Sequence, residues 1–362
     1  MLHNRLWCVR PKQSLVPYAD VMQRVKLTDV ARAAGVHPGT ASRALNPPTR
    51  DQVSRETSRR VARAAERLGY VPNAAARGLR TARSYIVAMV VPDVTNPLFP
   101  PMVRGAEQVL SKAGYTLVLT DTDNEAATER RQIELLRARG TDGFIVATAR
   151  WKDPLLDEMA DARIPAVLVN RNTSSARLPY IGGDERTGIA LAVDHLVRLR
   201  HRRISYLAGP QDTSTGRERA AAFHQAIRNH GLPTYRGQVR VCRAYTEAGG
   251  AVAAHTLITS GHDCTAIIAG NDLIAFGVLS ELAKAGISCP GHMSLIGFND
   301  LPMVDKLTPP LTTVRLPLPD MGRLAAHVLL TEIDATAATE RVAQSLLGVE
   351  LVIRGTTGPA VP

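Results

Sequence analysis

Apolar residues follow two rhythms along the chain, changing near residue 85. Ahead of that point the spacing is helical. Leu27, Val30, Ala31 and Ala34 fall at i, i+3, i+4 and i+7, one buried face of a short helix. The turn Ala33-Ala34-Gly35-Val36 follows, with Gly35 free to take positive φ. A second short helix opens at Pro38, where a missing N–H costs nothing. Ala41, Ala44 and Leu45 form its inner face, leaving Thr40, Ser42, Arg43 and Asn46 outward, all with hydrogen-bonding groups. A third runs from an N-cap at Ser54 through Arg55–Leu68 to Gly69. Val61, Ala64, Ala65 and Leu68 make its apolar stripe, and Arg59, Arg60, Arg63 and Arg67 its basic face. The pattern predicts an all-α helix-turn-helix headpiece over residues 25–70. Periodicity alone fits an ordinary small bundle equally well.

Past residue 85 short Val/Ile/Leu runs alternate with amphipathic stretches. Predicted strands are 86–91, 117–120, 144–148, 166–169, 204–208, 239–243, 266–269 and 294–297. Predicted helices are 99–113, 125–139, 186–199, 216–229 and 272–285. Such alternation implies parallel sheets covered on both faces. Two series, about 85–183 and 184–298, predict an α/β core of two lobes spanning 85–362. The first lobe adds about 315–340 and the second about 341–355. Ligands of such folds sit at the carboxyl ends of the strands. Between headpiece and core, residues 71–84 carry Pro72, a helix cap at Asn73 and a two-turn stretch containing Gly78. A helix so short is marginal in water. It reads as a hinge that becomes helical when something binds it, or as an inert tether.

Charge separates the two readings of the headpiece. Residues 1–84 hold 16 Lys/Arg against 5 Asp/Glu, a net +11 that equals the net charge of the whole chain. The remaining residues are balanced. A basic excess confined to the helix-turn-helix is what phosphate neutralisation requires. Residues 1–24 read as a disordered extension without the apolar core of a secretory signal, and Met22 as an alternative start. No apolar run reaches membrane-spanning length. Cys8, Cys242, Cys264 and Cys289 are scattered, with no metal-ligand spacing even where His262 lies near Cys264, so free thiols of a reducing cytoplasm are expected. Neither metal nor cofactor is expected.

Five loops after predicted strands are unusually polar: 92–99, containing Asp93, Asn96 and Phe99; 170–172, with Asn170; 209–219, with Thr215 and Arg219; 270–272, with Asn271; and 298–300, with Asn299. Any one Asn or Asp here is as readily a helix cap. Five such loops at one cleft suit a small polyol, which needs many hydrogen bonds and an apolar face.

Taken in order, the motifs Leu27-Thr28-Asp29-Val30-Ala31, Thr40-Ala41-Ser42-Arg43-Ala44-Leu45-Asn46, Gly69-Tyr70-Val71-Pro72-Asn73, Ala76-Arg77-Gly78-Leu79, Asn96-Pro97-Leu98-Phe99, Gly297-Phe298-Asn299-Asp300 and Pro309-Pro310-Leu311-Thr312-Thr313-Val314 make the chain resemble the lactose-repressor (LacI/GalR) family over about residues 25–355. The resemblance implies a homodimer with a periplasmic-binding-protein-like core, reading near-palindromic double-stranded operator DNA under control of a sugar-like effector. It assigns a base contact to Arg43, since Arg bidentate to guanine is the commonest specific pairing. Thr28, Pro38, Gly39, Thr40, Ser42, Asn46, Ser54, Thr57 and Asn73 fall in the DNA-binding set, with hydroxyls and amides on phosphates. Leu79 would wedge the minor groove at the operator centre, and Ala76 would let two hinge helices approach. For the effector it implies Asp93, Asn96, Phe99, Asn170, Thr215, Arg219, Asn271 and Asn299. There are departures. His37 stands where the family usually caps the recognition helix with Ser or Thr. Pro38 and Gly39 lack side-chain donors, and Asn299 replaces a frequent Asp. No G-x-S-x-G, Walker, G-x-G-x-x-G or H-E-x-x-H motif suggests an enzyme. A transporter's solute-binding protein, which shares such a core, would not carry the basic headpiece.

Overall fold

The computed structural model describes residues 25–70, 83–261, 263–335 and 344–361. The expected extension 1–24, the hinge positions Asn73, Ala76 and Leu79, Cys8 and His262 lie outside the described residues. The chain divides into two units, before and after residue 82.

In the first unit, helices α1 (Leu27–Ala34), α2 (Pro38–Leu45) and α3 (Arg55–Leu68) form as the pattern predicts, with a 3-10 turn over Pro47–Gln52. Gly35 takes φ +62° at the α1–α2 turn. Local caps set the boundaries. The Asp29 carboxylate accepts from the Lys26 N–H at 2.9 Å, and Ser54 Oγ accepts from the Thr57 N–H at 3.2 Å. Arg60 Nε donates to the Ala34 carbonyl at 2.8 Å, satisfying an end of α1 from α3. The buried core is Val30, Ala31, Ala34, Ala41, Ala44, Val61, Ala64 and Ala65. Six alanines let the helices close tightly but bury little apolar surface.

The second unit holds two six-stranded sheets. The first contains β1 (Ile86–Val91), β2 (Thr116–Asp121), β3 (Gly143–Val146), β4 (Ala166–Val169), β5 (Tyr180–Gly183) and β11 (Gln344–Leu347), ordered β11-β5-β4-β3-β1-β2. All its pairings are parallel. The second contains β6 (Ile204–Ala208), β7 (Val239–Val241), β8 (Ala266–Ala269), β9 (Ser294–Asn299), β10 (Thr312–Arg315) and β12 (Glu350–Val352), ordered β12-β10-β9-β8-β6-β7. Here β12 runs antiparallel to β10, a departure from the all-parallel expectation. The central strands are buried on both faces, hence their unbroken Val/Ile/Leu/Ala runs.

The chain enters the second sheet after β5, returns through helix Leu318–Asp334 beside β3, β4 and β5, and crosses back between β11 and β12. The sequence boundary placed 341–355 with the second lobe. Instead Gln344–Leu347 pairs with β5 and extends the first sheet. The Gly348-Val349 link, not residue 341, is the final crossing. The eight predicted strands and five predicted helices form, within a few residues at their ends. Cys242 and Cys264 are free and buried. Among the described residues no helix is long and apolar enough to cross a membrane.

Candidate functional site

Two sites emerge, one in each unit. In the headpiece, α2 presents Thr40, Ser42 and Asn46 half-buried and Arg43 exposed, opposite its inward Ala41 and Ala44. His37 performs the cap that the family assigns to Ser or Thr: its Nδ1 accepts from the Gly39 N–H at 3.1 Å. Arg43 is steered along the helix by Nε donating to the Gly39 carbonyl at 3.3 Å, leaving its terminal nitrogens outward. The Thr49 hydroxyl, which sequence reasoning passed over, lies 3.2 Å from the Arg43 carbonyl and 3.3 Å from that of Asn46. Asn46 Nδ2 donates back to Thr49 Oγ1 at 3.4 Å. This clasp fixes the end of α2. Thr28 is exposed on α1, and Pro38 and Gly39 form the first turn of α2. The Ser54 hydroxyl is spent on the α3 cap: besides accepting from the Thr57 N–H it donates to Thr57 Oγ1 at 2.9 Å. Ser54 therefore has no proton left for a phosphate, and the Thr57 hydroxyl keeps its own.

In the core, loops at the carboxyl ends of strands from both sheets meet around a narrow pocket. It lies where each sheet reverses strand order, between β1 and β3 and between β6 and β8, as doubly wound sheets dictate. Seven of the eight effector residues expected from sequence line it: Asn96, Phe99, Asn170, Thr215, Arg219, Asn271 and Asn299. Asp93 does not. Its Oδ1 accepts from the Thr95 N–H and hydroxyl at 2.8 and 2.6 Å, turning its own loop. Leu98, Arg171 and Tyr245 complete the lining and were not expected.

Each side chain is held by the fold. Arg219, only 2% exposed, donates Nε to Glu185 and Nη1 to the Gly270 carbonyl at 2.6 Å. Its guanidinium stacks over the Phe298 ring at 3.7 Å, a cation–π contact in a desolvated setting. Burial opposes its charge, but the Glu185 carboxylate outweighs that, and its pKa rises above the usual arginine range. Asn271 serves twice: Oδ1 caps the following helix by accepting from Ile274 N–H at 2.8 Å, while the residue faces the pocket. The adjoining Asp272 accepts from the Leu301 N–H at 2.8 Å and from Thr313 Oγ1 at 2.6 Å, tying its own pocket loop to the Asn299 loop and to β10. Burial pushes its carboxyl up to about 7. Thr215 Oγ1 lies 3.0 Å from the Tyr245 hydroxyl. The Tyr245 ring occupies the space that a side chain at Gly209 would need, 2.1 Å from the position of such a Cβ.

Arg171 differs from Arg219. Among the described residues it makes no ion pair or side-chain hydrogen bond, its Nε is buried without a partner, and its guanidinium lies 6.0 Å from the Tyr245 ring centroid. Burial lowers its pKa. Asn299 Oδ1 is likewise buried and unpartnered. Beside the pocket the lobes touch directly. Trp151 N–H donates to the Asp212 carbonyl at 2.6 Å, Asn172 N–H donates to Ser214 Oγ at 2.8 Å, and Arg217 lies over the Trp151 ring at 5.1 Å.

Comparison with known proteins accounts for both units. Residues 26–73 match the family profile described as bacterial regulatory proteins, lacI family. Residues 84–354 match periplasmic binding proteins and sugar binding domain of LacI family. The chain is 34% identical over 343 residues to the HTH-type transcriptional regulator MalR of Streptomyces coelicolor, covering 92% of this chain and 97% of that one. It is 33% identical over 318 residues to the ribose operon repressor of Bacillus subtilis, covering 88% and 94%. A solved complex of the transcriptional regulator CelR with cellobiose superposes with a TM-score of 0.70 at 29% identity, covering 92% and 100%. With a helix-turn-helix and a two-lobed core that both match, the chain belongs to the LacI family of DNA-binding transcription regulators.

Proposed function

We propose that this regulator is a homodimeric repressor whose operator affinity is set by a small carbohydrate-like effector held between its core lobes. The observation that carries the reading is the pocket itself: polar side chains from five predicted loops and from the Tyr245 loop converge on one cleft lined from both lobes. The relatives named for ribose and solved with cellobiose support a carbohydrate-like ligand. In this reading Asn96, Asn170, Thr215, Arg219, Asn271 and Asn299 supply hydrogen bonds, and Phe99 and Tyr245 supply faces for the ring.

On DNA, Arg43 reads a guanine edge in each half-site. Thr28, Thr40, Ser42, Asn46 and Thr57 hold phosphates and fix the register of α2. Pro38 and Gly39 let the backbone approach closely, and Ser54 acts through its cap. In the hinge, Asn73 caps a helix that forms on DNA, Ala76 allows its close approach to the partner copy, and Leu79 opens the central step. An effector that favours one arrangement of the lobes biases that hinge, and operator and effector affinities then change by the same factor.

The test is thermal unfolding of the full chain against sugars and sugar derivatives, followed by operator binding with any ligand found. A ligand at 100 times its Kd adds about 2.7 kcal/mol of stability, several degrees in melting temperature. A shift that also changes operator affinity supports the proposal. A ligand that binds without altering operator affinity contradicts it.

A further inference from the structure

Charge in the pocket is unbalanced. Two guanidiniums, Arg171 and Arg219, belong to the lining, and none of the described lining residues is a carboxylate. Arg219 is neutralised by Glu185. Arg171 has no such partner among the described residues, and its Nε is sealed from solvent without a hydrogen bond. Other partly buried arginines of the second unit are matched: Arg150 lies 3.3 Å from Glu129, and Arg354 lies 2.7 Å from Asp300. A guanidinium with its Nε desolvated, which the carboxylates of Asp212 and Glu129 influence only through space and without an ion pair, carries a cost. Such a group persists where a ligand completes it, and functional sites carry cost of this kind at the expense of stability.

We propose that the effector carries an anionic group, a carboxylate or a phosphate monoester, bound by Arg171, on a polyhydroxy body whose hydroxyl donates to Asn299. The inference rests on the effector reading above and narrows its ligand to sugar acids and sugar phosphates. A guanidinium presents a planar fork of donors that matches both oxyanions. Asn299 supplies the complementary need, since its buried Oδ1 lacks a donor. Neutral sugars satisfy Asn299 yet leave the Arg171 charge uncompensated.

Matched series test this: D-glucose, D-gluconate and D-glucose 6-phosphate, and D-ribose, D-ribonate and D-ribose 5-phosphate, each at 10 mM and constant ionic strength. The readout is the melting temperature of the full-length wild type and of Arg171→Gln. The expected result is a rise with an acid or a phosphate but not with its neutral parent, the responding arm identifying the oxyanion. In Arg171→Gln that ligand binds at least tenfold more weakly, and the ligand-free variant melts at or above the wild type because an uncompensated charge has gone. A neutral parent that stabilises the wild type as well as its acid or phosphate overturns the anionic assignment and leaves the effector pocket standing. A lower melting temperature for ligand-free Arg171→Gln also overturns it, by making Arg171 a structural residue. If no compound of either series shifts the wild type, the effector reading falls and this inference with it.

Discussion

The headpiece and the core solve opposite problems with their polar groups. In the headpiece the inside is eight small side chains, six of them alanine, and the groups suited to binding face outward from one short helix. In the core, two continuous sheets bury dozens of large apolar side chains, and the binding groups are drawn inward from six loops to one pocket. The first arrangement stabilises little by itself and gains from the DNA it meets. The second is rigid enough to hold Arg219, Glu185 and Asp272 out of water. Regulators benefit from this division, because the elements that respond to ligands are drawn from the low-stability end of the structure.

Several substitutions would break or sharpen that contrast. The largest effect is expected for Glu185→Leu, which strands the Arg219 charge in the interior. Breaking a buried pair from one side costs about 3–5 kcal/mol, so urea unfolding followed on the core should show the midpoint drop sharply. An unchanged midpoint would mean the pocket is wetter than its burial indicates. Arg43→Ala should leave that unfolding untouched yet cost about 1–3 kcal/mol of discrimination at one base position in each half-site, measured by anisotropy against a panel of operator variants. Uniform weakening on every sequence would make Arg43 a phosphate contact. His37→Ala removes the cap of α2, a loss of about 0.5–1 kcal/mol, visible as faster amide exchange at Gly39 and Thr40. Exchange in the second lobe should not change.

A fourth, smaller effect belongs to the core alone. His201 is buried, with Nδ1 2.8 Å from Thr265 Oγ1 and Nε2 3.0 Å from both Ser294 Oγ and the Gly358 carbonyl. A ring nitrogen facing a carbonyl must donate, so the neutral Nε2–H form fits. Burial lowers its pKa below the ordinary 6.5. Below pH 6.5 the unfolded chain therefore binds the proton more readily than the folded one, and stability falls as pH drops. The wild type should lose stability relative to His201→Gln between pH 6.5 and 5, while above pH 7.5 the difference between the two should stay constant. Parallel curves across that range would show that the ring is protonated alike in both states.

What the sequence disclosed follows the same division. The headpiece could be read almost residue by residue because its helices, turn and caps are local: Gly35, Pro38, Ser54 and Gly69 all do what their chemistry suggests. The eight predicted strands of the core were visible as apolar runs. Helix Glu247–Thr259 was not, since Ala and Gly surround it on all sides and leave no helical stripe. Strand β5, Tyr180-Ile181-Gly182-Gly183, is only four residues long and half glycine, too little to mark a strand. The last strands switch sheets between residues 347 and 350, a step fixed by pairing partners far away in sequence. In the pocket, Asn and Asp in loops pointed to seven lining residues, but the same signal cannot separate a cap from a ligand group. Asn271 proved to be both and Asp93 only a turn former. Tyr245 escaped because its loop carries neither Asn nor Asp. Arg171, inside a loop already singled out, became informative only once its lack of a partner was visible.

The central claim is that the two regions are energetically coupled through one ligand. The most direct test takes the operator selected from random DNA and the compound that stabilises the core. Operator affinity is measured with and without saturating compound, and compound affinity with and without saturating operator. Coupling requires the two ratios to be equal and different from one, typically 5- to 150-fold. Ratios of one in both directions would contradict the account, leaving a DNA-binding headpiece and a ligand-binding core that share a chain but not a function.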